Sequence, residues 1–240
     1  MKTPIILAFA AMLAGSASAA VVTWTPSAAT ASTEVSNAGT TAWAYYFNSN
    51  TGRPAVVNVN GVDFNRISAG DNTATPGLNR GSGAGGTNFE DNDEFYLGPN
   101  ASLNQIMDGV TWGGDSQFQI TGLTIGTMYQ IQIFSSDDRG AFINRVLDLD
   151  SSWATANGSR QLENVDYTAG GPWVDPAGRS KIFLGSFTAD ATTQEILAAL
   201  DNGTGQIDLN AAQLRVIPEP AVLLTGAAAF GLLALRRRRR

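Results

Sequence analysis

Residues 221–235 form an apolar run without a charge, and five arginines follow it directly. No other feature constrains the chain as much. A basic block of that size cannot pass through lipid. The run is built from Ala, Leu, Gly, Val and Phe, with one Thr. As a helix it would reach ~22 Å, short of the ~30 Å hydrocarbon core of a bilayer. Its glycines and snorkelling at its flanks would close part of that gap. Arg236, Arg237, Arg238, Arg239 and Arg240 are therefore expected to stay on the cytoplasmic side as a basic anchor. Pro218, Glu219 and Pro220 then sit at the outer face. Residues 218–240 read as an address and not as part of a fold.

The other end agrees. Lys2 supplies a short basic region, Ile5–Leu13 an uncharged apolar one, and Ala17-Ser18-Ala19 a small-x-small cleavage pattern. This is the layout of a secretory signal peptide, expected over residues 1–20 with cleavage after Ala19 or Ala20. Residues 21–217 are then one exported domain, with residues 21–54 flexible in part. That length suffices for a single hydrophobic core.

The sequence contains neither Cys nor His. No disulfide can support the core, although an exported protein could have used one. Ser-His-Asp and Cys-His nucleophile systems are excluded, as are nearly all ordinary zinc and copper sites. The overall charge of −6 mixes in the two addresses. Without Lys2, Glu219 and the five terminal arginines, residues 20–217 hold 20 acidic and 9 basic side chains, a net of −11. Such a domain repels phosphate backbones, so nucleic acid is not expected as a partner.

Short strand-like runs separated by Gly, Asn, Ser and Thr predict an all-β fold, a single sandwich of jelly-roll type with one short helix. The clearest strand is Thr127–Ser135, where Tyr129, Ile131 and Ile133 alternate with Gln130 and Gln132, giving one buried and one wet face. Ser116–Ile120 precedes it, across a loop whose Gly122 and Gly126 suit positive φ. Further strands are expected at Val21–Thr25, Trp43–Phe47, Ala55–Val59, Arg145–Leu149, Lys181–Thr188, Gln206–Asn210 and Ala212–Ile217. Asn60-Gly61 predicts a hairpin turn. A helix is expected over Ser102–Asp108, capped by Ser102, ended by Gly109 and buried through Leu103, Ile106 and Met107. Thr193–Leu200 has helical composition, but its place between strands favours a strand. Gly70–Glu90 reads as one long loop, and Ala28–Gly39 as a loose segment.

Pro-Glu-Pro, an apolar run and a terminal arginine block, in that order, resemble the PEP-CTERM sorting signal of Gram-negative bacteria. The resemblance covers residues 218–240. It implies processing near Pro218-Glu219-Pro220 by an exosortase-type membrane transpeptidase, after signal peptidase has acted, and a passage through the inner membrane to the outer envelope or extracellular space. It also implies an association with exopolysaccharide and biofilm. The alternative is a plain C-terminal membrane anchor. Residues from about 58 to 217 are similar to a family of exported β-sandwich modules that accompany this signal, through ITGLTIGTMYQIQIFSSDDRG, KIFLGSFTADATTQEI and NAAQLRVIPEP. That similarity implies a jelly roll related in shape to galactose-binding-like modules, a shape that hosts many functions.

Candidate sites within the domain rest on residue chemistry. Asp91, Asp93 and Glu94 offer alternating carboxylates suited to calcium, although the glycine and distal Glu of an EF-hand are missing, and a solvated acidic turn is the alternative. Asp137, Asp138 and Arg139 follow the clearest strand. They can close a local salt-bridged turn, or hold sugar hydroxyls through carboxylate acceptors and guanidinium donors. Trp112 and Trp173 lie in glycine-rich sequence near turns, where an exposed indole can stack on a sugar; filling the core is the alternative. Carboxylates are numerous, but nothing selects a pair at the ~5–10 Å that glycoside hydrolysis requires. The expectation is therefore a non-enzymatic exported protein without assigned catalytic residues. A carbohydrate-binding module is the alternative, and a glycan-active enzyme the more remote one.

Overall fold

The computed structural model describes residues 20–29, 31–68, 75–80, 88–91, 101–113, 116–136, 146–150, 165–166, 180–200 and 207–218. In chain order the strands begin with β1 (Thr23–Ala28), β2 (Thr40–Phe47), β3 (Val56–Val59), β4 (Val62–Ile67) and β5 (Leu78–Arg80). There follow β6 (Asn88–Asp91), helix α1 (Ala101–Met107), β7 (Gly109–Gly113), β8 (Ser116–Thr121), β9 (Met128–Ser136) and β10 (Val146–Asp150). The last are β11 (Val165–Asp166), β12 (Ser180–Thr188), β13 (Thr193–Leu200), β14 (Ile207–Leu209) and β15 (Ala211–Val216).

These strands form an all-β sandwich. One sheet runs β1-β12-β9-β15-β2-β4-β3, the opposing one β11-β10-β13-β8-β5, and a small third one β14-β7-β6. Alternation in the strands fills the space between the two large sheets. Trp43, Tyr45 and Phe47 of β2, Tyr129, Ile131 and Ile133 of β9, and Phe118 and Ile120 of β8 meet there in one buried cluster. Intervening residues serve the opposite face of the seven-stranded sheet. There Tyr46, Phe64, Phe134 and Ile182 pack with Leu103, Ile106 and Met107 of α1 in a second cluster. β2 is thus buried on both faces. Phe64 and Phe134 meet edge to face, with ring centres 5.7 Å apart, a favoured arrangement for aromatic quadrupoles.

Several sequence expectations change in detail. Residues 116–121 and 128–136 are strands, but they lie in different sheets. The loop between them is an arch that crosses the sandwich, and Gly122 and Gly126 there have φ of 75° and 83°. A second arch, 189–192, runs beside it. Leu123 N–H donates to the Thr192 carbonyl at 3.1 Å and Gly126 N–H to the Ala189 carbonyl at 2.7 Å. Because β9 pairs with β12 while β8 pairs with β13, the two arches form one antiparallel ribbon rolled across both sheets. Thr193–Leu200 is a strand, because both of its neighbours, β8 and β10, offer ladders to it. Asn60-Gly61 makes the hairpin between β3 and β4, both residues at positive φ. β1 lies later than expected and contains Pro26, which its position at the sheet edge tolerates.

The helix begins at Ala101, so Ser102 is inside it and is not the cap. Gly109 opens β7; a Cβ there would lie 1.9 Å from the Phe47 carbonyl oxygen, so close approach of two strands explains the glycine. The stretch 70–90 contains β5 and part of β6 and is not one loop. The expected wet face of β9 is only partly wet. Gln132 is 3% exposed, because residues 31–39 cross over it. Ser36 N–H donates to Gln132 Oε1 at 3.0 Å, and Gln132 Nε2 donates to the Glu34 carbonyl at 2.7 Å. Gln213 Nε2 donates to the Ser36 carbonyl and to Gln132 Oε1. The segment read as loose is thus fastened by side chains whose hydrogen-bonding groups match a peptide's.

Candidate functional site

The two sheets part at one end of the sandwich and leave a cleft of about 390 Å³. Its wall begins on β2. Residues two apart on a strand share a face, so Trp43 and Tyr45 lie side by side, with ring centres 5.4 Å apart and planes within 18°. The Tyr45 hydroxyl donates to the Pro76 carbonyl at 2.8 Å, tying residues 75–77 to β2. Burial pushes the Tyr45 phenol above its usual pKa, which keeps it a donor. Gly77 closes one side at φ 79°; a Cβ there would lie 2.5 Å from Trp43 Cδ1. From β9, Tyr129 stacks on Phe187 at 5.7 Å and accepts a hydrogen bond from Thr124 N–H at 2.9 Å. Leu123, Leu214 and Val216 supply the apolar remainder.

Trp43 is 7% exposed, and its Nε1–H has no hydrogen-bond partner among the described residues. A buried donor without a partner is costly and uncommon. Among the described residues the lining carries no carboxylate, Lys or Arg. The cleft can hold a ligand with apolar faces, and its described walls offer no acid–base pair.

Of the residues singled out from sequence, the described ones, Trp112, Asp91 and Pro218, do not line the cleft. Trp112 lies in β7, its backbone paired with Asn88 and Asp208. It is in the middle strand of the small sheet, one residue before the strand ends at Gly113. Asp91 ends β6 opposite Gly109. Pro218 is exposed, two residues beyond β15. Asp93, Glu94, Asp137, Asp138, Arg139, Trp173, Glu219, Pro220 and Arg236, Arg237, Arg238, Arg239 and Arg240 lie outside the described residues. Trp43, Tyr45 and Tyr129 fall within expected strands, and nothing in that expectation marks them as a site. The signal that could have marked them is the i, i+2 aromatic pair on β2. Nothing local announces that Gly77 meets it.

Among the described residues no helix is long and apolar enough to cross a membrane. No family model and no curated protein matches the sequence. Among solved structures the chain is similar to a β-glucuronidase of Bacteroides uniformis, at TM-score 0.44 and 13% identity, over 73% of this chain and 18% of that one. β-Glucuronidase 2 of the same organism, covalently bound to cyclophellitol-6-carboxylate aziridine, gives a TM-score of 0.43 with the same identity and coverage. The chain thus spans less than a fifth of those enzymes' length, and a likeness at this level says nothing about activity.

Proposed function

We propose that this chain is an exported, non-enzymatic β-sandwich protein. It is delivered to the envelope or extracellular matrix through its C-terminal signal and is associated there with exopolysaccharide. The observation that carries the reading is the place of the last described strand. β15 is an inner strand of the seven-stranded sheet, it ends at Val216, and Pro218, two residues on, is exposed. On this reading the sorting tripeptide begins just past β15, where a processing enzyme could reach it without opening the core. The chemistry belongs to that enzyme, and this chain is its substrate. Absence of His and Cys from the sequence removes the nucleophile systems that depend on them. Deletion of residues 218–240 is expected to release the domain into the medium of its own host. Unchanged localisation would contradict the proposal.

A second reading, a carbohydrate-binding module, is favoured by the aromatic lining of the cleft, Trp43, Tyr45 and Tyr129. Polysaccharide should then change the tryptophan fluorescence saturably. Loss of that change in Thr121→Leu, which narrows the cleft, would locate the sugar there. Loss in Trp112→Ala or Trp173→Ala would locate it at the indoles marked by sequence, and silence towards every polysaccharide would dismiss the reading.

A further inference from the structure

The strand register brings both ends of the domain to the same pole of the sandwich. Thr23, Ser186, Gln130 and Arg215 are successive partners across β1, β12, β9 and β15. One step outward, Thr188 pairs with Met128, whose carbonyl accepts from Ile217 N–H at 3.0 Å. The same step on β1 leads to Val21. The chain therefore enters at Val21 and leaves at Ile217 only three strand spacings apart, about 14 Å. Both arches turn at this pole.

Exposed apolar side chains gather there too. Of the four large ones among the described residues, three belong to this pole: Val21 at 60%, Ile125 at 62% and Met128 at 37%. Val56, at 49%, stands apart on the far edge strand β3. Isolated exposed apolar residues are ordinary; three beside both chain exits are a local feature. Among the described residues of the pole Asp190 is exposed, and the Arg there, Arg215, is 4% exposed with its guanidinium donating to the Ala38 and Gly39 carbonyls and to Thr41. Side-chain attraction to anionic headgroups is thus not its main means of attachment.

The length of chain beyond the fold says what covers this surface. From Ile217 to Ala221, the first residue of the apolar run, is four residues, a reach of at most ~14 Å. A helix of residues 221–235 is shorter than the hydrocarbon core, a mismatch that draws its flanks inward. On the proposed reading of residues 218–240 as membrane-bound before processing, on which this step rests, we infer that the pole bearing Val21, Ile125 and Met128 is a membrane-docking surface. It lies in the outer headgroup layer of the inner membrane while the precursor is tethered. Shallow apolar contact without exposed cations is weak alone, and the tether supplies the high local concentration it requires. The signal peptide attaches at the same pole, so the orientation suits the chain before and after its removal. Once residues 218–240 are removed, the surface is free to leave the membrane.

The chain has no cysteine, so single thiols can be placed cleanly. Full-length Ile125→Cys, Met128→Cys and Val56→Cys would carry a polarity-sensitive fluorophore in vesicles of phosphatidylethanolamine and phosphatidylglycerol. All three native side chains are exposed, and equal urea midpoints would verify that the variants fold. Labels at 125 and 128 are expected to be quenched by lipid-borne nitroxide several-fold more than the label at 56, and by aqueous iodide several-fold less. Chains that float with the vesicles but show equal iodide quenching at all three positions would overturn the docking surface alone, leaving it to a protein partner. Chains that fail to float would overturn the anchoring reading and the docking surface with it.

Discussion

At the scale of single residues, two glycines separate two physical reasons for the same amino acid. Gly61 has φ +80° and open space around its missing Cβ, whereas Gly109 has no room. Gly61→Ala should cost about 1 kcal/mol, the strain of a left-handed residue with a side chain. Gly109→Ala pushes a methyl into the Phe47 carbonyl and should cost about 3 kcal/mol or more. Urea midpoints decide; equal shifts would mean that β2 and β7 are less closely placed than described here. Tyr45 gives a pH-dependent counterpart. Its folded pKa is raised above the ordinary 10.0 by burial. The stability it contributes is thus present below that pH and lost as pH rises through the folded value. An alkaline absorbance titration should show a late-ionising tyrosine component that Tyr45→Phe removes.

At the scale of elements, the glutamine ladder is the feature most open to test. Gln132→Ala leaves Ser36 N–H and the Glu34 carbonyl without their partner, a loss of about 1–3 kcal/mol. Amide exchange over residues 31–39 should quicken more than exchange in β12. Unchanged exchange would show that the segment is held by something else. This element also marks the limit of what could be read in the sequence. Alternation in β9 was legible, because Tyr129, Ile131 and Ile133 do face the core. What covers the other face was not, because Gln132 owes its burial to residues 96 positions away. The same holds for β5, β6 and β7. β5 and β6, Leu-Asn-Arg and Asn-Phe-Glu-Asp, have little strand preference, β7 holds only Val-Thr-Trp between glycines, and their ladders come from partners such as β8 and β14. Helix α1 was readable to within one residue, since its buried stripe of Leu103, Ile106 and Met107 follows the local helical period. The cleft stayed hidden for the non-local reason again: it exists only where β2, β9 and residues 75–77 converge.

At the scale of the whole molecule, the proposed reading joins a sandwich whose last described strand ends at Val216 to an address expected from Pro218. Val21 and Ile217 lie at one pole, so a membrane-held precursor would present the other end of the sandwich outward. Intact mass of the protein from its own host, measured together with its cell fraction, tests this most directly. The account predicts a species lacking residues 1–19 or 1–20 and the tail beyond Pro218-Glu219-Pro220, found in the outer envelope or medium. A species that keeps residues 221–240 and stays in the inner membrane would contradict it, and would make the chain a permanently anchored exported domain.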